Sequence, residues 1–215
     1  MLDVTEAIEN RRSIRQYTDA PISQDTMDRL ISLAVKAPTG SGMEPWGFVI
    51  LRDRAEIDAL SDRAKKEILD HMADYPQFTQ YETWLKNPKY NIFNHAGTVL
   101  VIYGDTRSHW HVYDCSLVAG NIMLLAESEG IGCCWIGFAE AVLNTAEFKK
   151  AQRSRPFRAR VHHQHGLQQL QAETRDPQAP HDFLEIAFRI SGQLRPRKLA
   201  LPGPLCRQRG FASGS

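Results

Sequence analysis

The chain has 215 residues and a formal net charge of +1, with 26 Lys and Arg against 25 Asp and Glu. This length suits one domain with a buried core, and so balanced a charge argues against nucleic acid or another polyanion as a partner. No run of 18 apolar residues is present and acidic residues stand close to Met1, so we expect neither a membrane span nor a secretory signal.

Caps and periodicity predict an α+β domain in residues 1–150. The predicted helices are residues 3–10, a second from Ser23 to Pro38, a third over 54–72 with Asp53 and Glu56 as a capping-box pair, and a fourth over 111–129. The predicted strands are residues 47–51, 98–103 and 131–136.

Two of these stretches have an unusual composition. Residues 74–96, here called the excursion, are aromatic and turn-rich without a clean period, which in a compact domain is typical of a functional lid or binding loop. The helix over 111–129 is apolar on nearly every side, which predicts burial in a large core or in a subunit interface.

Three segments could carry chemistry, and the first is a basic cluster after the first helix. Arg11, Arg12, Ser13 and Arg15 place three guanidiniums and a hydroxyl within five residues. Arginine presents paired donors to oxyanions, so the cluster suits a phosphate. The alternative is a solvated helix end, where cations also interact favourably with the helix dipole.

The second and third segments are rich in glycine. Residues 37–46, with sequence APTGSGMEPW, let backbone approach a flat ligand and offer polar groups from Thr39, Ser41 and Glu44, or they simply connect a helix to a strand. Residues 130–138, with sequence GIGCCWIGF, could present backbone amides at a sheet edge, or form an ordinary core strand. We expect Cys133 and Cys134 to be buried rather than reactive.

Taken in this order and spacing, the three segments resemble the nitroreductase family of FMN-dependent oxidoreductases. Members of that family begin with R-R-S-x-R, continue with A-P-S/T-x-x-N-x-Q-P-W, and carry G-x-x-C-W-I-G after a buried helix. The resemblance covers residues 3 to about 150. It implies an α+β fold with a central, mainly antiparallel sheet flanked by helices, built as an intertwined homodimer.

The resemblance also implies the cofactor site. Arg11, Arg12, Ser13 and Arg15 would contact the phosphate, ribityl chain and pyrimidine edge of FMN. The partner subunit of the dimer would supply a loop of Pro38, Thr39, Gly40, Ser41 and Gly42. The ring system would lie beside Trp135, Ile136 and Gly137.

Two positions depart from the family pattern. Gly42 stands where the family has Asn, which removes one hydrogen bond to the flavin, and Glu44 stands where it has Gln, which adds charge near the ring. We expect neither change to abolish FMN binding.

The implied activity is transfer of electrons from NADH or NADPH to a nitroaromatic, quinone or similar acceptor by a ping-pong mechanism. The redox chemistry belongs to the flavin, so no catalytic side chain is required. The excursion would shape acceptor choice. The sequence does not decide between NADH and NADPH as the reductant.

The cysteines favour the cytoplasm as compartment, because they show no CxxC spacing; they are Cys115, Cys133, Cys134 and Cys206.

Residues 151–215 do not follow the family pattern. They hold 11 Lys and Arg against 4 Asp and Glu, whereas residues 1–150 hold 15 against 21. The family continues with a strand of the type P-I-I-x-x-G-Y-P and a Pro-rich arm ending near R-K-P, but residues 161–171 are VHHQHGLQQLQ. With one choice of synonymous codons, residues 162–171 read one base later give I-I-S-M-G-Y-S-S-C. We hypothesise that out-of-frame sequence replaces the last strand and arm.

Three alternatives stay open at this point. The tail could bind a metal through His162, His163, His165 and His181, although no carboxylate or Cys at ligand spacing accompanies them. Its positive balance could mark a nucleic-acid-binding arm, although residues 183–190 are too apolar for a simple basic tail. The whole protein could also be a flavin-binding or inactive relative whose altered C-terminus prevents turnover.

Overall fold

The computed structural model describes residues 2–153 and the strand Glu185–Gln193. Four strands form one antiparallel sheet in the order β1-β2-β4-β3. They are β1 Trp46–Leu51, β2 Val99–Gly104, β3 Ile131–Ile136 and β4 Glu185–Gln193. The predicted antiparallel sheet is therefore confirmed. β1 and β3 are its two outer strands, and β4 fills the place between β2 and β3.

The described helices surround this sheet. They are α1 Val4–Asn10, α2 Gln24–Ala34, α3 Arg54–Asp70, α4 Glu82–Lys86, α5 His111–Ser128, α6 Glu140–Leu143 and α7 Ala146–Arg153. Short 3-10 turns over Met72–Asp74 and Pro76–Tyr81 lead into α4, so the excursion consists of tight turns and one short helix. None of the described helices is long and apolar enough to cross a membrane.

Three helices, α1, α2 and α3, begin where a side chain satisfies free amides of the first turn. Asp3 and Glu6 form a capping box on α1, and Ser23 Oγ accepts a hydrogen bond from the amide of Thr26 on α2. Asp53 caps α3 as predicted, but Glu56 does not complete the box; its carboxylate accepts from Gln152 Nε2 instead.

The core lies on both faces of the sheet. Alternate residues of β2 point to opposite faces, so Leu100 and Ile102 pack toward α2 and α5, while Val99 and Val101 pack toward α3. The central strand is therefore apolar throughout, and helices cover both faces of the sheet.

Two features differ from the sequence prediction. The strand Glu185–Gln193 lies in the tail, where no strand was expected; the run of apolar residues over 183–190 was its signal. The helix α5 is not buried on every side, since Val112, Tyr113 and Leu117 are exposed in the single chain. A large core alone does not account for these exposed side chains, and the predicted subunit interface stays a prediction.

Candidate functional site

The basic cluster lies along the outer edge of β3. After α1 ends, the chain extends, and the amide of Ile14 donates to the carbonyl of Cys133 at 2.9 Å, while Ser13 forms a parallel bridge with Cys133. Gly132 permits this approach, because a Cβ there would lie 2.8 Å from the side chain of Ile14. The first and third segments predicted from the sequence are thus brought together.

The cluster presents hydrogen-bond donors to solvent. Arg12, Ser13 and Arg15 are exposed, and Arg11 is half-buried. Arg12 Nη1 donates to the carbonyls of Glu9 and Arg11 at 2.7 and 2.9 Å, and Arg15 Nη1 donates to that of Ser13 at 3.4 Å. A guanidinium has five N–H groups, so these bonds orient both side chains and leave donors for an anion.

A buried carboxyl group stands behind the cluster. Glu127, near the end of α5, is 7% exposed. Burial raises the pKa of Glu127, and the charges of Arg11 and Arg12 act in the opposite direction. The two guanidiniums therefore favour the ionised form of this buried carboxyl group.

The carboxyl end of β3 is open. Trp135 is 41% exposed and Gly137 is exposed, with no atom within 4 Å of a Cβ built on Gly137. The side chain of Ile136 is buried in the core, so only its backbone can face a ligand. An exposed aromatic side chain therefore lies on the same strand that carries the basic cluster at its edge, and the exposed Gly137 follows that strand directly.

The glycine-rich loop over residues 38–44 is held by Asp114, a buried acid on α5. Thr39 Oγ1 donates to Asp114 Oδ2 at 3.0 Å, and the amide of Gly40 donates to both carboxylate oxygens at 3.1 and 3.2 Å. Thr39 Oγ1 also accepts from the amide of Glu44 at 3.1 Å. One carboxylate thus fixes both arms of the loop.

The loop has a backbone that needs such support. Ser41 and Glu44 have φ of 55° and 44°, in the left-handed region that residues with a Cβ rarely adopt, and Gly42 has φ of 64°. Gly40 packs so tightly on Trp110 that an added Cβ would lie 2.3 Å from the indole. The shape of the loop is therefore set by its contacts with the start of α5.

The loop and the basic cluster lie at opposite edges of the sheet. The loop leads into β1 through Trp46, whereas the cluster lines β3, and these are the two outer strands. Neighbouring strands are about 4.8 Å apart, so about 14 Å separates β1 from β3 across the sheet.

The excursion reaches the open end of β3. The ring of Phe138 lies 4.9 Å from that of Phe78 and 5.2 Å from that of Tyr81. Further rings continue this contact, with Tyr81 5.6 Å from Trp84 and Trp84 6.4 Å from Tyr90. Phe78, Tyr81, Trp84 and Tyr90 of the excursion therefore form one continuous group with Phe138 beside the strand.

A model of the Nitroreductase family matches residues 8–171. This chain belongs to the Nitroreductase family. The matched range extends past residue 150, the boundary that the sequence motifs suggested.

Two relatives from archaea carry the name NADH dehydrogenase/NAD(P)H nitroreductase. The protein of Methanothermobacter thermautotrophicus is 28% identical over 141 residues, which are 63% of this chain and 61% of the relative. The protein of Archaeoglobus fulgidus is 29% identical over 142 residues, which are 64% of this chain and 68% of that relative. The chain thus spans less than two thirds of the first relative's length.

The fold is that of solved nitroreductases. The structure of a nitroreductase with bound FMN from Bacteroides fragilis superposes with a TM-score of 0.67 at 18% identity, covering 99% of this chain and 100% of the other. At this identity the likeness shows the fold alone, and the α+β prediction is confirmed.

The described cysteines of this chain lie in its interior. Cys115, Cys133 and Cys134 are free and buried, as predicted for the last two. Burial raises the pKa of Cys115 and of Cys133 to about 12, so both stay protonated at neutral pH.

Metal binding has no support within residues 2–153, where no group of three or more His, Cys, Asp or Glu side chains could hold a metal ion. The four histidines of the tail lie outside the described residues, as does Cys206.

Asp114 is the site residue that the sequence analysis missed. It is the single acid between His111 and Leu125 on an otherwise mostly apolar helix, and it is 3% exposed. A buried carboxylate requires hydrogen-bond donors, so one acid in such a helix signals a fixed partner. Its partners on the loop are far away in the sequence, which hid the contact.

Proposed function

We propose that this member of the Nitroreductase family is an FMN-dependent oxidoreductase that uses NADH or NADPH to reduce a nitroaromatic, quinone or similar acceptor. One observation carries the proposal: exposed arginine and hydroxyl donors lie along the edge of the same outer strand whose carboxyl end carries the exposed Trp135. The archaeal relatives named as NAD(P)H nitroreductases and the FMN-bound structure from Bacteroides fragilis support it.

The donor set fits FMN. Arg11, Arg12, Ser13 and Arg15 supply charged and hydroxyl donors for the phosphate, the ribityl chain and the pyrimidine edge. The exposed face of Trp135 and the backbone of Ile136 and Gly137 offer a flat, open surface for the ring.

When bound, FMN supplies the redox chemistry by taking up and releasing a hydride at N5 of its ring. The described residues bind and orient it and restrict access to its ring. Reductant and acceptor would use the same open face in turn, which corresponds to a ping-pong mechanism, and the excursion would limit which acceptors enter.

The loop of Pro38, Thr39, Gly40, Ser41 and Gly42, with Glu44, would complete the site of a second copy. Loop and basic cluster lie at opposite edges of one sheet, so a homodimer would bring one chain's loop to the other chain's β3. With Gly42 in place of the family's Asn, the loop would act through its backbone and through Thr39 and Ser41.

The surface of α5 supports this homodimer. Trp110, Tyr113 and Leu117 are spaced by three and four residues and are all exposed in the single chain. Such a stripe on a helix matches the pattern of helix pairing, and a face this apolar is typical of an interface.

The decisive test is cofactor binding by the purified full-length chain. After reconstitution with FMN and removal of excess, we expect flavin absorbance at one FMN per chain and oxidation of NADH or NADPH when menadione is added. A folded chain that takes up no FMN would refute the proposal. Bound FMN without oxidation would instead favour the flavin-binding, inactive alternative.

Substituting Leu117→Asp should convert the dimer to monomer. Leu117 is 47% exposed in the single chain, and an interface would bury the new carboxylate without a partner. Sedimentation velocity at about ten micromolar protein measures the change, with the FMN dissociation constant expected to rise at least tenfold. Ala59→Asp adds the same charge to an exposed position of α3 and should remain dimeric. A monomeric wild-type protein would contradict the dimer.

The reading frame that encodes residues 151–215 bears on the alternative that the protein binds flavin but is inactive. We propose that this segment is out-of-frame sequence that replaces the family's last strand and its Pro-rich arm, and the loss of the basic residues of that arm would weaken FMN retention. Sequencing the coding DNA, with the intact mass of the protein, decides the matter. If the codons give no P-I-I-x-x-G-Y-P strand in another frame, the hypothesis is wrong. The cytoplasm as compartment stays a prediction from cysteine content.

A further inference from the structure

Three side chains on one face of α3 hold the excursion: Asp58, Ser61 and Lys65. They follow one another at spacings of three and four residues, so they form a single polar row, here called the α3 seam. Asp58 Oδ1 accepts from Asn91 Nδ2 at 2.7 Å, and Ser61 Oγ accepts from the amide of Ile92 at 2.9 Å. Ser61 is fully buried, which makes its bond part of the interior.

Lys65 is the charged member of the α3 seam and is only 8% exposed. Its ammonium donates to the carbonyl of Tyr90 at 2.8 Å, to that of Asn87 at 3.4 Å and to Asp62 Oδ1 at 3.5 Å. Three N–H groups thus meet three oxygens, as a buried ammonium requires. Two of the three belong to the backbone of the excursion.

The segment held by Lys65 lies beside the candidate site. Tyr90 is half-buried; burial raises the pKa of its hydroxyl, and the charge of Arg15 acts in the opposite direction. The ring of Trp84 lies 6.4 Å from that of Tyr90, and the group continues to Phe138 at the end of β3. The seam therefore fixes one end of the aromatic group and the strand end fixes the other.

We propose that Lys65, together with Ser61 and Asp58, is a positioning residue that fixes the aromatic wall against which a planar acceptor is seated. The aromatic wall comprises Phe78, Tyr81, Trp84, Tyr90 and Phe138. The inference rests on the proposed function and adds the residues that determine acceptor affinity. Planar acceptors bind aromatic side chains by offset or edge contacts, which depend on where the rings are held.

Limited proteolysis tests the seam without relying on activity. Chymotrypsin cuts after aromatic residues that no proline follows, and the full-length chain offers it such sites over residues 78–90. Lys65→Met should raise the cleavage rate in this range at least fivefold, because two backbone carbonyls lose their donor. Lys66→Met is the matched control: its side chain is 76% exposed and pairs with Asp70 on α3 itself, so we expect wild-type cleavage.

Acceptor kinetics with the FMN-loaded protein test the role. Menadione is planar and can stack on the wall, whereas ferricyanide is an octahedral anion that cannot. In Lys65→Met we expect KM for menadione to rise at least fivefold, with KM for ferricyanide and the FMN dissociation constant within twofold of wild type. Equal changes in KM for both acceptors would show general damage to the protein. A cleavage rate and KM values like those of Lys66→Met would show that Lys65 does not position the aromatic wall. Either result overturns the proposal.

A second variant covers the case in which Lys65→Met does not fold. Ser61→Ala removes one hydrogen bond to the amide of Ile92 and should change cleavage and menadione KM in the same direction, by at least twofold; no change would again overturn the proposal. The two levels of inference fail differently. A wild-type chain that binds no FMN refutes the proposed function and this inference together, whereas an active wild type with an unaffected Lys65→Met refutes this inference alone.

Discussion

Asp114→Ala should weaken FMN binding at least tenfold while leaving most of the fold intact. The substitution removes the acceptor for Thr39 Oγ1 and for the amide of Gly40. Each donor left without a partner costs about 1–3 kcal/mol, and the positive φ of Ser41 and Glu44 then lacks support. A tenfold change corresponds to about 1.4 kcal/mol of binding free energy.

Fluorescence titration of FMN, beside urea unfolding of the apoprotein, separates binding from stability. Asp114→Asn keeps one carbonyl acceptor and should lie between alanine and wild type. If Asp114 acts through the loop, adding Thr39→Val to Asp114→Ala should give much less than the sum of the two effects, since both remove the same contact. A destabilised Asp114→Ala protein that still binds FMN like wild type would show that loop position does not matter for the cofactor.

Replacing Arg12 and Arg15 together by alanine should raise the FMN dissociation constant about 100-fold. A charge-assisted hydrogen bond contributes about 1.5–3 kcal/mol, and both guanidiniums are exposed with free donors, so two lost contacts account for a change of this size. The loss should grow smaller as salt is added, because exposed charges are screened.

Riboflavin distinguishes the contacts, since it has the ring and ribityl chain but no phosphate. The wild-type chain should bind FMN much more tightly than riboflavin. Substituting an arginine that binds the phosphate should remove that preference without weakening riboflavin binding. Substituting an arginine at the pyrimidine edge should weaken the binding of both ligands equally. Arg63→Ala, at an exposed position of α3, is the control and should change neither. If the double variant keeps wild-type FMN affinity, the cluster is only a solvated helix end.

Most of the fold was predictable because its signals are local. Ser23 and Asp53 cap their helices through amides two or three residues away, and the apolar run of β3 gave its bounds as Ile131–Ile136. The exposed side chains of α5 were not predictable in this way, because burial depends on which elements surround a helix and not on its own composition.

The candidate site was predictable only in part, for a related reason. The basic cluster and β3 each have a recognisable sequence, but the bridge between Ser13 and Cys133 joins residues far apart in the chain. The same holds for Asp114 with Gly40 and for Lys65 with Tyr90. In each pair a polar group that is costly to bury alone forms a hydrogen bond with a residue far away in the chain. The sequence indicates that such a group requires a partner, but it does not identify which residue that partner is.

The opposite positions of β1 and β3 have a genetic consequence. Suppose that each flavin is bound by the arginines of one chain and by the loop of the other chain. In a hybrid dimer of one Arg12→Ala/Arg15→Ala chain and one Asp114→Ala chain, all substitutions then affect the same one of the two flavin sites. The other site then has wild-type arginines and a wild-type loop. Two defective alleles expressed in one cell would complement each other and recover one working site in each hybrid dimer, whereas either allele alone would not.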